Sequence, residues 1–214
     1  MSDRIGIGII GLGVMGQRML ARIVEHPRSR ALAVWDPDAD ALAATKARHP
    51  EVLAAATPAE VIGTPGLRCL YVASPPASHL EYAGKAFDTG LAVLCEKPLT
   101  LDFEAGRRSI ARIAEHKLRA AVNFSLASSP GLAALAAAAK DGSIGEPRAV
   151  EIEVAFDQWP RAWQSAAGRW LAERAEGGFT REVLSHFVFV LQRALGPATV
   201  ESSRPDYPAR ARAP

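Results

Sequence analysis

The 214-residue chain predicts an α/β fold, a doubly wound parallel sheet over residues 1–122 followed by a partial α+β domain with an open sheet over 123–214. Two observations carry this expectation. From residue 4 to about 122, short runs rich in Ile, Val and Leu alternate with amphipathic stretches, the pattern of βαβ units whose sheet is covered on both faces. After Asn123 the alternation stops, and an Ala-rich stretch, an aromatic stretch and one long apolar helix follow.

Taken in order, strands are predicted at 4–10, 31–35, 68–73, 91–95 and 118–122, with a weak one at 52–53. Between them, 15–25, 39–47, 78–88 and 103–116 carry apolar residues three and four apart and read as helices. Right-handed crossovers then wind the helices onto both faces of the sheet. In the second part, 130–140 reads as a helix closed by Asp141-Gly142-Ser143. Residues 147–156 alternate like a strand, with Val150, Ile152, Val154 and Phe156 on one face. Trp159, Trp163 and Trp170 read as large packing anchors. They lead to Gly177-Gly178, a helix at 180–195 and a last strand at 198–204. Two strands make a marginal sheet in water, and a tail carrying Pro208 and Pro214 adds no core strand. The expectation is therefore an incomplete C-terminal domain rather than one that a partner chain completes.

Composition narrows the function. Twenty-five Lys and Arg against 23 Asp and Glu leave a formal charge of +2, with no basic block to mark nucleic acid or a membrane surface as a partner. No apolar run nears the ~20 residues of a membrane span, and 5–10 is too short for a signal core. Two cysteines, Cys69 and Cys95, are too few for a disulfide framework or a zinc site. These features predict a reduced, cytoplasmic protein with no metal.

The first motif is Gly11-Leu-Gly13-Val14-Met15-Gly16, placed after a strand and at the start of a helix. Such a turn lets a pyrophosphate reach the backbone and the helix N-terminus. Asp36 ends the second strand, 20 residues after Gly16, where a carboxylate accepts hydrogen bonds from a ribose diol and repels a 2′-phosphate. NAD is thus expected over NADP. The second motif, Glu96-Lys97-Pro98, follows the fifth strand, at the edge where parallel sheets bind ligands. Glu182 and His186 are four apart on one predicted helix, so they share a face.

With Val72-Ala-Ser74-Pro75-Pro-Ala-Ser-His79, Cys95-Glu-Lys-Pro98 and Gly177-Gly178 ahead of His186, the sequence resembles the Gfo/Idh/MocA family of glucose–fructose oxidoreductase and inositol dehydrogenase. The resemblance implies an NAD(P)-binding Rossmann domain followed by a substrate domain whose open sheet forms homo-oligomer contacts. It implies an NAD(P)-dependent dehydrogenase or reductase acting on a CH–OH group of a sugar or polyol. Lys97 matches the family's catalytic lysine, and His186 its histidine. Glu182 stands where the family has Asp, and Leu184 where it usually has Gly. Ser74, Pro75 and His79 resemble the loop beside the cofactor, and Asn123 the polar residue after the sixth strand. The alternative is a dinucleotide-binding sensor without turnover, or an inactive fragment of a longer dehydrogenase.

Overall fold

The apolar runs of the first half assemble side by side because each is too buried to face water on either side. In the computed structural model, which describes residues 4–167, 169–173 and 175–204, six strands form one sheet. They are β1 (Ile5–Ile10), β2 (Ser29–Trp35), β3 (Leu53–Ala54), β4 (Leu67–Val72), β5 (Ala92–Glu96) and β6 (Ala120–Asn123), in the order β3-β2-β1-β4-β5-β6. All four ladders from β3 to β5 are parallel. The helices between them are α1 (Val14–Glu25), α2 (Ala39–Arg48), α3 (Pro58–Ile62), α4 (His79–Asp88) and α5 (Phe103–Glu115). The strand order reverses between β1 and β4, and a ligand crevice is expected beyond the carboxyl ends of those two strands.

Period-two alternation divides the core into two layers. Ile10, Ala33, Leu70, Val72, Val93 and Cys95 face α3 and α4 on one side. Ile9, Val34 and Tyr71 face Leu20 and Ile23 of α1 on the other. Helix starts follow local chemistry. Asp38 caps α2, Thr57 caps α3 with Pro58 at its first position, and Asp102 caps α5. Because α5 starts at an exposed carboxyl accepting the Ala105 and Glu104 N–H groups, Asp102 titrates below the usual carboxylate range.

Met1–Val122 is one compact unit and Asn123–Pro214 a second. In the second, α6 (Pro130–Asp141) packs on α7 (Ser185–Leu195). Ser129 caps α6, and Gly142, at φ 76°, ends it in the left-handed conformation that glycine adopts freely.

Two expected strands are corrected here: neither 147–156 nor 198–204 joins a ladder. Val150, Ile152 and Phe156 are exposed, as is Val200. An extended segment needs a neighbour for its N–H and C=O groups, and these two do not supply one to each other. The predicted helix at 180–195 is also modified, because its first turn, Thr180–Leu184, is wound as a π-helix before α7 begins. The expected tail at 205–214 lies outside the described residues. Among the described residues, no helix is long and apolar enough to cross a membrane, and no group of His, Cys, Asp and Glu stands ready to hold a metal. Cys69 and Cys95 are free thiols.

Candidate active site

The glycine turn after β1 is built by exclusion of side chains. Gly11 has φ 97°, and a Cβ there would lie 2.4 Å from the Ala73 carbonyl carbon. A Cβ on Gly16 would lie 1.9 Å from the Gly11 oxygen, so the third position of α1 must be glycine for the helix to close on the turn. Gly13 differs, because a Cβ there meets nothing within 4 Å. It is the N-cap of α1 with no side-chain cap, and the first turn of the helix has no acidic residue. The helix therefore starts beside open space at Gly13, with no acidic residue of its own first turn against the positive end of its dipole.

Asp36 follows β2 and closes the same turn. Its Oδ2 accepts the Leu12 N–H at 2.6 Å, and its Oδ1 accepts the Asp38 N–H at 2.8 Å. A carboxylate has about four acceptor positions, so two such bonds fix its orientation and leave capacity for a diol. The cradle with its open Gly13 and pinned acid fits a dinucleotide.

The backbones that follow β4 and β5 form the neighbouring part of this edge. Ser74 Oγ accepts from Ser78 Oγ at 2.7 Å, which ties the Ser74-Pro75 turn to the start of α4. His79 is 1% exposed, with Nε2 2.7 Å from the Ser74 carbonyl oxygen and Nδ1 2.8 Å from that of Pro98. Both ring nitrogens thus face the protein's own backbone. Glu96 is 6% exposed and accepts the Tyr71 hydroxyl proton in a short hydrogen bond. Tyr71 is opposite Leu94 in the β4–β5 register, so Glu96 lies diagonally across on the same face. Lys97 is the next residue, partly exposed where β5 ends, and its peptide bond to Pro98 is cis. Just before it, burial and the neighbouring Glu96 push the Cys95 thiol up to about 12.

The second unit carries Asn123, Glu182 and His186. Asn123 ends β6. Gly177 sits so close to Leu171 that a Cβ would be 2.1 Å from its carbonyl oxygen, and Gly178 N–H donates to the same oxygen at 3.0 Å. The π-turn follows, with the Ser185 N–H donating to the Thr180 carbonyl. Arg181 donates to the Gly177 carbonyl at 3.0 Å, and Glu182 is 8% exposed. His186 lies one residue into α7, edge-on to Phe124 at 5.8 Å, and Phe124 stacks on Phe189 at 4.5 Å. Glu182 and His186 therefore stand on differently wound stretches. Two residues that sequence reasoning passed over matter to this geometry. One is Tyr71, whose strand parity with Leu94 was the available signal. The other is Phe124, for which the sequence offers none.

The profile of an oxidoreductase family with an NAD-binding Rossmann fold matches residues 5–124, more than half of the chain. The chain is a member of the Gfo/Idh/MocA family. Inositol 2-dehydrogenase 4 of Saccharopolyspora erythraea is 30% identical over 150 residues, which are 69% of this chain and 44% of that protein. Inositol 2-dehydrogenase of Ralstonia nicotianae is 33% identical over 146 residues, 66% of this chain and 43% of that protein. The matched part of this Gfo/Idh/MocA chain thus spans less than half the length of these relatives. Among solved structures, the WlbA dehydrogenase from Bordetella pertussis in complex with NADH and UDP-GlcNAcA superposes with a TM-score of 0.80 at 22% identity. That superposition covers 98% of this chain and 65% of the other. At that identity the likeness concerns the fold.

Proposed function

We propose that the chain carries the nucleotide site of an NAD-dependent dehydrogenase that oxidises a CH–OH group of a polyol or sugar, or reduces the matching carbonyl. The observation that carries this reading is the open Gly13 cradle at the start of α1, with Asp36 pinned beside it by the Leu12 N–H. The similarity to inositol 2-dehydrogenases supports a polyol as the substrate class.

In this reading the backbone of Gly11, Gly13, Val14, Met15 and Gly16 holds the pyrophosphate, and Asp36 accepts from the adenosine ribose diol. Ser74, Pro75 and Asn123 line the remaining length of the dinucleotide. Bound there, the nicotinamide supplies the hydride acceptor or donor. Lys97 donates to the reacting oxygen and favours its alkoxide character, because a preorganised cation in a water-poor cleft stabilises developing negative charge. His186 takes the hydroxyl proton in oxidation and returns it in reduction. Glu182, buried on the turn that precedes α7, keeps the catalytic assignment that the family resemblance implies. Glu96 anchors the strand end from which Lys97 projects. An oligomer formed through the second domain belongs to the same reading.

A second reading, nucleotide binding without turnover, is favoured by one observation: Glu182 stands where the family resemblance has Asp, on a turn wound as a π-helix. Titration of the chain with NADH and with NADPH, followed by nicotinamide fluorescence, tests the nucleotide site. Saturable binding that prefers NADH, and an Asp36→Ala variant that loses the preference, are expected. Failure to bind either nucleotide refutes the reading. With NAD and myo-inositol, turnover that disappears in Lys97→Met supports the dehydrogenase, and binding without turnover favours the second reading.

A further inference from the structure

We infer that His79 is a positioning residue. It braces the nucleotide-facing turn after β4 to the backbone that carries Lys97 after β5, so that cofactor and lysine are held in one fixed relation. The inference rests on the proposed roles of the Ser74-Pro75 turn and Lys97.

The geometry leaves His79 little else to do. The ring is 1% exposed, and each nitrogen is within hydrogen-bond distance of a backbone carbonyl, Ser74 at 2.7 Å and Pro98 at 2.8 Å. Those carbonyls are 24 residues apart in sequence, but β4 and β5 are adjacent parallel strands, so both lie at the carboxyl edge of the sheet. A loop of this kind has no ladder partner of its own beyond the strand ends, and a side chain that donates to both carbonyls supplies the missing link. The Pro98 carbonyl is one residue from Lys97. The Ser74 carbonyl belongs to the turn whose Oγ is held by Ser78, the residue before His79. One rigid five-membered ring therefore spans both loops, and it does so from the first residue of α4, a ten-residue helix packed on the sheet. Both partners are carbonyl oxygens, so the ring ties both loops by donating from both nitrogens, and the ring, rather than a flexible chain, then sets the spacing of the two loops.

The two halves of the brace are separable by chemistry. The side-chain amide nitrogen of asparagine stands near the position of Nδ1, and that of glutamine near Nε2. His79→Asn therefore keeps the tie to Pro98 and drops the tie to Ser74, whereas His79→Gln does the reverse. Two probes read the two loops in the 214-residue chain. One is the NADH dissociation constant. The other is the acylation rate of the Lys97 amine by an N-hydroxysuccinimide ester, measured without nucleotide by peptide mass spectrometry. Losing one buried hydrogen bond corresponds to roughly a tenfold change. His79→Asn is expected to weaken NADH about tenfold with Lys97 acylation within about twofold of wild type. His79→Gln is expected to bind NADH nearly as wild type while Lys97 acylates several-fold faster.

A histidine that only fills space would move both readouts together in both variants, in proportion to their loss of thermal stability. That result overturns the inference, as does an absence of change in either variant. If one variant does not fold, the crossed response of the other decides. If the wild-type chain binds no NADH, the nucleotide reading fails separately, and the acylation contrast between the two variants still tests the tie to Pro98.

Discussion

Tyr71→Phe removes one oxygen from the centre of the first unit and nothing else. The ring is 1% exposed and packs with Ile9, Leu20 and Val34, so phenylalanine fills the same volume. What disappears is the hydroxyl that donates to Glu96, itself 6% exposed. A net hydrogen bond contributes about 1 kcal/mol, and stripping a donor from a buried acceptor raises the cost to about 2 kcal/mol. For a chain of this size each kcal/mol moves the melting midpoint by roughly 2–4 °C, so Tyr71→Phe should melt about 4–8 °C lower. Far-UV circular dichroism on the full chain reads this directly. Glu96→Gln retains an acceptor oxygen on the same side chain and should lose less. Since Glu96 closes β5 immediately before Lys97, Tyr71→Phe should also speed acylation of the Lys97 amine. A Tyr71→Phe melt within about 1 °C of wild type would refute the reasoning, because the hydroxyl would then contribute nothing in water.

Two further outcomes follow from the same unit. Gly13→Ala places a methyl group where no protein atom lies within 4 Å, at a φ of −64° that alanine adopts without strain. It should melt like wild type yet bind NADH at least about tenfold more weakly, because the methyl stands where the pyrophosphate meets the backbone; unchanged affinity in a titration would show that the dinucleotide lies elsewhere. Cys95, with its thiol pushed up to about 12 by burial and the nearby Glu96, stays neutral at pH 8 and should resist a disulfide exchange reagent until the chain is unfolded. The folded state then holds this proton over a range where the unfolded chain, with an ordinary value near 9, has lost it. Stability should fall as pH rises from about 9 towards 12, and more steeply in wild type than in Cys95→Ala. Equal slopes in urea titrations across that range would contradict the burial argument.

The residues that made the first unit readable are those whose structure is decided locally or by a strong period. Ile9 and Ile10 sit in a run apolar on both faces, which only a covered parallel strand tolerates. The glycine turn was legible because its close approaches require glycine at fixed offsets from a strand end. α3 escaped because five residues give no helical period, although Thr57-Pro58 with Glu60 three places on is a start signal. At 147–156 the period was present and the ladder was not: alternation reports which side chains prefer burial, while a strand exists only when a neighbour takes its backbone hydrogen bonds. The π-turn at Thr180–Leu184 was invisible for a related reason, since Glu182 and His186 were read at α-helical pitch and a change of winding leaves no mark on residue spacing. The same distinction governs the site. A histidine seven residues after a strand suggests a loop beside a ligand, and only the fold reveals that its nitrogens point at the Ser74 and Pro98 carbonyls. Residue type announces what chemistry is present; which partner it serves is fixed by contacts such as that of His79 with Pro98, 19 residues away in the chain, and those have no local signature.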